Sequence, residues 1–216
     1  MLRRAVLLAC CLWGMSGPGI PAEPPGKSAC VLYSGTFDPP HLGHLGVLRL
    51  AMSQTRADCA YVILNQSSRY KPDMLPYRTR QAMASLVFGQ DPGVVVGDPA
   101  VDQAFTSFDL KPVLAVLRQR HPGARFYAVM GDDVLSRGLV DFIVDPDITY
   151  VVVFRTNFEV TLPSAPVRSL LIYPRELQVC SSSRIRAAVA QRQLTVPCAS
   201  PPLVDFIRRE RLYVTP

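Results

Sequence analysis

Two of the chain's three histidines, His41 and His44, stand three residues apart in one turn, Ser34-Gly35-Thr36-Phe37-Asp38-Pro39-Pro40-His41-Leu42-Gly43-His44. The apolar run Cys30-Val31-Leu32-Tyr33 precedes this turn, and an amphipathic stretch, Leu45 to Ser53, follows it, so the turn should join a strand to a helix. If helical, the two imidazoles share a face near the helix start. That end of a helix carries orphan N–H groups and a positive dipole, which together attract anions. Imidazoles placed there can donate hydrogen bonds to phosphate oxygens whose charge grows during group transfer. Gly35 lets the backbone turn sharply and lets a phosphate approach closely. Thr36 offers a hydroxyl, and Phe37 continues the loop. The bland alternative is a surface pair or a chance metal clip. A zinc protease would need HExxH, which is absent.

Other residues carry chemistry of the same kind. Asp133 follows the apolar run Phe126 to Met130, where a carboxylate can accept hydrogen bonds from ribose hydroxyls or simply cap a helix. Ser182 and Ser183 open a helical pattern as N-cap candidates, a role that needs no ligand. Arg186, one turn further on, faces the same end and can grip a phosphate. Lys71 lies in a polar loop, where it either meets a phosphate or is merely solvated.

With those residues in view, the stretch from Gly35 to His44 resembles the G-T-F-D-P-P-H-x-G-H signature of the HxGH nucleotidyltransferases, which join a nucleoside monophosphate from ATP or CTP to an acceptor phosphate. Within that superfamily the chain is most similar to the bacterial nicotinate mononucleotide adenylyltransferases, from about residue 31 to 213. Leu64 to Pro72 resembles their P-N-x-x-P-P-H-K loop, keeping Asn65 and Lys71 but carrying Ser68, Arg69 and Tyr70 in place of prolines and histidine. Val129-Met130-Gly131-Asp132-Asp133 resembles I-I-G-x-D, and Cys180 to Arg186 resembles I-S-S-T-x-I-R. Leu203 to Tyr213 resembles the family's closing V-x-x-Y-I-x-x-x-x-L-Y, with Phe206 for its first tyrosine. Two departures stand out. The family's stacking Trp is missing, since the lone tryptophan is Trp13; Phe142 is a candidate substitute. In Ala104 to Leu110 the family's Tyr and Thr appear as Phe105 and Thr106, without the central acidic residue.

The resemblance implies ATP-dependent adenylyl transfer to nicotinate mononucleotide, giving deamido-NAD and pyrophosphate in NAD biosynthesis. It implies catalytic roles for His41, His44 and Arg186. Gly35, Thr36, Phe37, Asp133, Ser182 and Ser183 would bind ATP, and Asn65, Lys71, Phe105 and Thr106 the acceptor. Mg²⁺ would arrive bound to ATP rather than in a protein cage. Other acceptors remain open at this point: nicotinamide mononucleotide, phosphopantetheine or a phospho-alcohol. So does a non-catalytic exported nucleotide-binding protein.

The elements needed to position these residues are legible. Apolar runs at 30–33, 60–64, 94–96, 126–130, 150–154 and 169–173 read as strands. Segments at 45–53, 80–88, 110–120, 182–192 and 202–211 read as helices, and 132–142 as partly helical. This alternation predicts a doubly wound, Rossmann-like α/β domain, a parallel sheet with helices on both faces, over residues 30–216. Such sheets bind ligands beyond the carboxyl ends of their strands.

Composition sets the outer limits. The chain has 216 residues, 49% of them hydrophobic and 19% charged, which excludes a polar disordered chain. No apolar run nears the roughly 20 residues of a membrane span, so a multi-span membrane protein is excluded and no stable membrane association is expected. Net charge is +6, and Arg supplies 20 of the 23 basic residues, which favours anionic small molecules; nothing points to nucleic acid. Residues 1–29 read as a signal-like or disordered extension: Arg3 and Arg4, the apolar stretch Ala5 to Met15, then a Pro-rich segment. A secretory leader and a mis-assigned start both fit it. Because ATP is scarce outside cells, the expected compartment is the cytoplasm, with export the alternative. Cys30, Cys59, Cys180 and Cys198 form no CxxC pair and are expected as unpaired structural thiols.

Overall fold

The structure, a computed structural model, describes residues 28–66, 71–105, 109–131, 145, 147–154, 169–172 and 179–214. Asp133, Thr106, Phe142 and the extension at 1–27 lie outside the described residues.

Six strands form one sheet: β1 (Ala29–Gly35), β2 (Cys59–Leu64), β3 (Val94–Val96), β4 (Arg125–Gly131), β5 (Ile148–Val153) and β6 (Ser169–Ile172). All neighbouring pairs are parallel, and the order is β3-β2-β1-β4-β5-β6. The chain winds outward from β1 to β3, returns to pair β4 against β1, and winds the other way. The switch point therefore lies between β1 and β4, and a crevice must open beyond their carboxyl ends.

Alternation along the strands feeds two cores. Val31 and Tyr33 of β1 point to the side packed by α1 (Leu42–Thr55), α2 (Tyr77–Phe88), α5 (Ser182–Ala190) and α6 (Pro201–Arg209). Cys30 and Leu32 point to the opposite side, packed by α3 (Pro99–Ala104) and α4 (Lys111–Arg120). Buried on both faces, the central strands are continuous apolar runs, as parallel sheets require. The expected doubly wound, single-domain architecture is what forms. The sequence reading missed α3, whose six residues carry no long apolar period. Asp98 makes it a helix by accepting the Ala100 and Val101 amides (both 3.1 Å), with Pro99 preset for the first turn.

The cysteines depart from expectation. Cys30 pairs with Cys59 and Cys180 with Cys198, as disulfides. Cys30 and Cys59 are 29 residues apart but are register partners on adjacent strands, with Cα atoms 4.6 Å apart. Cys180 and Cys198 flank α5, and the return of the chain brings their Cα atoms to 5.5 Å. Pairing across a sheet or around a helix leaves no trace in linear spacing.

Part of the arginine excess among the described residues is spent on the protein itself. Arg49, Arg118 and Arg120 pair with Asp91, Asp147 and Asp98 on the surface, each contact worth about 0–1 kcal/mol.

Candidate active site

The turn after β1 shows why its residues are of these types. Gly35 is the last residue of the strand, not a sharp turn, and the left-handed residue is Phe37 (φ 50°). A Cβ on Gly35 would lie 2.9 Å from the Phe37 ring, so the glycine is small because Phe37 folds back against it. That ring is buried edge-on against Tyr33, His44 and Phe88. Burial of the aromatic offsets its unfavourable backbone conformation. The Asp38–Pro39 peptide is cis.

His41 caps α1 from outside the helix instead of lying within it. Its Nδ1 accepts the His44 amide, and His44 Nδ1 accepts the His41 amide, both at 3.2 Å. This reciprocal capping stacks the rings, with centroids 3.6 Å apart and planes at 18°. An Nδ1 that accepts an N–H has no proton of its own, so in the neutral rings both protons sit on Nε2. The Leu42 amide meanwhile donates to the Cys198 carbonyl at 2.9 Å. Two of the helix's N-terminal amides are therefore bonded internally, and the imidazoles are the better placed groups to meet an anion here.

The segment around Cys180 closes on the same turn. Ser181, not Ser182 or Ser183, is the N-cap of α5, accepting the Arg184 amide at 3.2 Å. Ser182 Oγ donates to the Pro39 carbonyl (2.8 Å), and Arg186 Nη1 to the Asp38 carbonyl (2.7 Å). Arg186 Nη2 also donates to Ser183 Oγ (3.2 Å). The second motif is thus anchored to the first through backbone oxygens. Gly43 permits this approach: a Cβ there would lie 2.7 Å from Cys180 Cβ and 3.0 Å from His41 Nδ1. Gly43→Ala should cost about 1–3 kcal/mol of stability. It should also lower kcat/KM by roughly 10², as an ångström of misplacement does. Denaturant melts with steady-state kinetics check both, and wild-type behaviour would show that the two helix ends can part freely.

Asp38 and Tyr213, which the quoted motifs contain, and Arg80 and Asp102, which sequence reasoning did not single out, hold the frame. Asp38 accepts the Tyr213 hydroxyl (2.5 Å) and the Leu75 amide (3.3 Å), tying the chain's closing segment to the turn. Burial, and next its bond to Asp38, hold the Tyr213 phenol far above its usual range. Arg80 is fully buried and donates to the carbonyls of Leu75 (2.8 Å), Thr36 (2.8 Å) and Asn65 (2.7 Å). Asp102 is fully buried on α3 and accepts the Leu64 amide (3.3 Å) and the Tyr77 hydroxyl. A buried ion on an otherwise apolar face is the one signal that could have flagged Arg80 and Asp102, and only Arg80 falls inside a helix the pattern shows.

Burial pushes the Asp102 carboxyl up to about 6, against the pull of its hydrogen bonds. The folded state therefore holds a proton that the unfolded chain releases near pH 4, and stability from this group falls as pH rises through 6. The stability of Asp102→Asn relative to wild type should rise by about 1 kcal/mol between pH 5 and pH 7.5. Urea melts at the two pH values measure this, and a gap independent of pH would disprove the shift.

The predicted acceptor residues are placed unevenly. Asn65 follows β2, its amide donating to the Gly35 carbonyl at 3.1 Å, so it stands beside the turn. Its Oδ1 is buried and has no hydrogen-bond partner among the described residues. Lys71 is exposed at the start of the segment leading to α2. Phe105 caps the C-terminus of α3 and packs in the core on the α3–α4 side. Thr36 is buried at the turn itself. His41, His44, Gly35, Thr36, Phe37, Asn65, Ser182, Ser183 and Arg186 are all brought together around the carboxyl end of β1, next to the switch point.

Solved structures share this architecture. Two are of the Plasmodium falciparum nicotinic acid mononucleotide adenylyltransferase, one complexed with APC (TM-score 0.66, 17% identity) and one with NaAD (TM-score 0.67, 18%). Each covers 87% of this chain and 98% of its own, and at such identity the likeness is one of fold. Among curated relatives, a "Probable nicotinate-nucleotide adenylyltransferase" of Cereibacter sphaeroides is 33% identical over 109 residues, 49% of this chain and 56% of the relative. One of the same name from Gluconobacter oxydans is 32% identical over 49% and 54% respectively, so the chain spans about half the length of these relatives. Another, from Staphylococcus saprophyticus, is 25% identical over 85% of this chain and 96% of its own. The cytidylyltransferase-like family description matches residues 32–188, from the middle of β1 through the serine- and arginine-bearing helix that closes on its turn. Because that span takes in both halves of the sheet and both site motifs, the chain belongs to the cytidylyltransferase-like family.

Proposed function

We propose that the protein transfers the adenylyl group of ATP to nicotinate mononucleotide, forming deamido-NAD and releasing pyrophosphate. The observation that carries this reading is the stacked His41–His44 pair just beyond the end of β1, held by reciprocal Nδ1–amide bonds. The names of the relatives and of the structural neighbours support the same chemistry.

The acceptor's phosphate oxygen attacks the α-phosphorus of ATP in line. The bond to the bridging oxygen breaks, and pyrophosphate leaves. No protein nucleophile takes part, so the protein's contribution is positioning and charge stabilisation. His41 and His44 donate to the triphosphate oxygens as charge accumulates, and Arg186, held by the Asp38 carbonyl, adds a fixed positive charge. Mg²⁺ enters as part of the MgATP substrate. Asp38, a carboxylate within the turn, accepts the Tyr213 hydroxyl and the Leu75 amide. The unpartnered Asn65 Oδ1 supports a ligand donor reaching this edge of the site.

An acceptor panel with ATP tests the reading. Nicotinate mononucleotide should exceed its amide counterpart in kcat/KM by roughly 10–100-fold, because donors set for a carboxylate lose about 1–3 kcal/mol against a neutral amide. Equal use of both would refute acid specificity, and turnover of neither would leave the phosphopantetheine or phospho-alcohol acceptors.

For the compartment we retain the cytoplasm, where ATP is abundant; no helix among the described residues is long and apolar enough to cross a membrane. Export has one observation behind it, the two cysteine pairs at bonding distance, which persist in oxidising compartments. Acid-quenching source cells and alkylating under denaturing conditions with a chelator decides between them: labelled Cys30 and Cys59 mean cytoplasm, and thiols labelled only after reduction mean export.

A further inference from the structure

At the other end of the sheet, the Sγ atoms of Cys30 and Cys59 and a ring nitrogen of His121 all lie within 4.8 Å of one another. Cys30 is fully buried at the start of β1, Cys59 is half-buried beside it on β2, and His121 is the half-exposed C-cap of α4. Both cysteines project to the α3–α4 side of the sheet, towards the helix that delivers the imidazole. Cys30 precedes Gly35 by five strand residues, which is about 16 Å, so the group has no contact with the phosphate turn.

From this convergence we propose that Cys30, Cys59 and His121 form a site for a d¹⁰ soft or borderline cation, Zn²⁺ or Cu⁺, in the reduced protein. The donor set is the argument. Two thiolates and an imidazole select these cations over hard ones such as Mg²⁺ or Ca²⁺. Three donors complete a trigonal Cu⁺ site, whereas Zn²⁺ would take a water as fourth ligand on the side where Cys59 and His121 reach solvent. Tyr61 Oη lies 2.9 Å from His121 Nε2 and the rings meet edge to face, an outer partner of the kind that fixes ligating imidazoles and that leaves Nδ1 as the nitrogen for a metal. The His121 amide donates to the Leu117 carbonyl, so the imidazole sits at the negative end of the α4 dipole, which favours a cation. Asp58, bonded to Ser28 and the Ala29 amide, adds a nearby negative charge.

The disulfide and the metal site exclude each other. A thiol reductant opens the bond, giving two protein thiols and the reductant's own disulfide. Zn²⁺ then displaces one proton from each thiol, two protons per metal. Bound, it ties β1, β2 and α4 together, and as a ligand of the native state alone it raises stability. This proposal does not depend on the adenylyl-transfer reading.

The test uses the full chain carrying C10S, C11S, C180S and C198S, reduced with a phosphine, so that only Cys30 and Cys59 remain as thiols. Titration with Co²⁺ should give a thiolate-to-metal charge-transfer band saturating at one equivalent. Zn²⁺ should abolish it, and Cu⁺ competition against a chromophoric chelator identifies the preferred ion. His121→Ala and Cys59→Ser should each weaken binding at least about tenfold, with far-UV circular dichroism unchanged. If the fourfold variant fails to fold, the native chain reduced with the phosphine should bind one equivalent more than its equally reduced Cys59→Ser variant. Absence of the band, or affinity indifferent to both substitutions, would overturn the site and leave a plain structural disulfide.

Discussion

Replacing His44 by Ala should lower kcat by roughly 10² or more at saturating ATP, the loss expected when a transition-state donor is removed. The interlocked geometry makes the control unusually clean. His44 is the third residue of α1 and accepts the His41 amide, a position where Glu performs the same capping task in ordinary helices. His44→Glu should therefore hold the helix start while setting a negative charge where the proposed reaction puts the triphosphate oxygens. Its melting temperature should stay within a few degrees of wild type, and its turnover should fall at least as far as that of His44→Ala. Stopped or steady-state assays of pyrophosphate release would read both. If His44→Glu kept wild-type turnover, the histidine would be a cap and nothing more.

The largest stability effect should come from Arg80. Three backbone carbonyls from three different segments converge on its guanidinium, which is fully buried. Burial lowers its affinity for the proton, yet arginine stays charged at any physiological pH. Truncation to Ala leaves those carbonyls unpaired and opens a cavity, at a cost of about 3–5 kcal/mol. For a domain of this size that is a drop of roughly 10 °C in Tm. Activity should fall further than stability explains, because the carbonyls of Thr36 and Asn65 flank the phosphate turn. Arg80→Lys can satisfy one or two of the three oxygens and should lie between the two extremes. Calorimetry with kinetics at a temperature where all variants are folded would separate the two effects. A melting point within a few degrees of wild type in Arg80→Ala would mean that water replaces the guanidinium at little cost.

The order of strands and helices was readable from the chain because a parallel sheet covered on both faces demands unbroken apolar strands between amphipathic helices, and those patterns are local. The motif after β1 was visible for the same reason: Gly35 to His44 is contiguous, and its residue types stand at short spacing. Residue roles within that turn were less accessible. Gly35 reads as a flexible hinge, yet its smallness answers to the Phe37 ring; Ser182 reads as a cap, yet it bonds the Pro39 carbonyl from 143 residues away. Each of these depends on which segments meet.

By itself, then, the sequence determined a doubly wound α/β domain and marked the histidine-bearing turn after its first strand, since hydrophobic period and motif spacing are properties of neighbouring residues. Only the tertiary structure decided that Cys30 faces Cys59 and His121, and that Arg80 and Asp38 tie three segments to the turn. It also decided that Gly43 must make room for Cys180. Register between strands and contact between distant segments are settled by the packing of the whole chain, and no local pattern of residues encodes them.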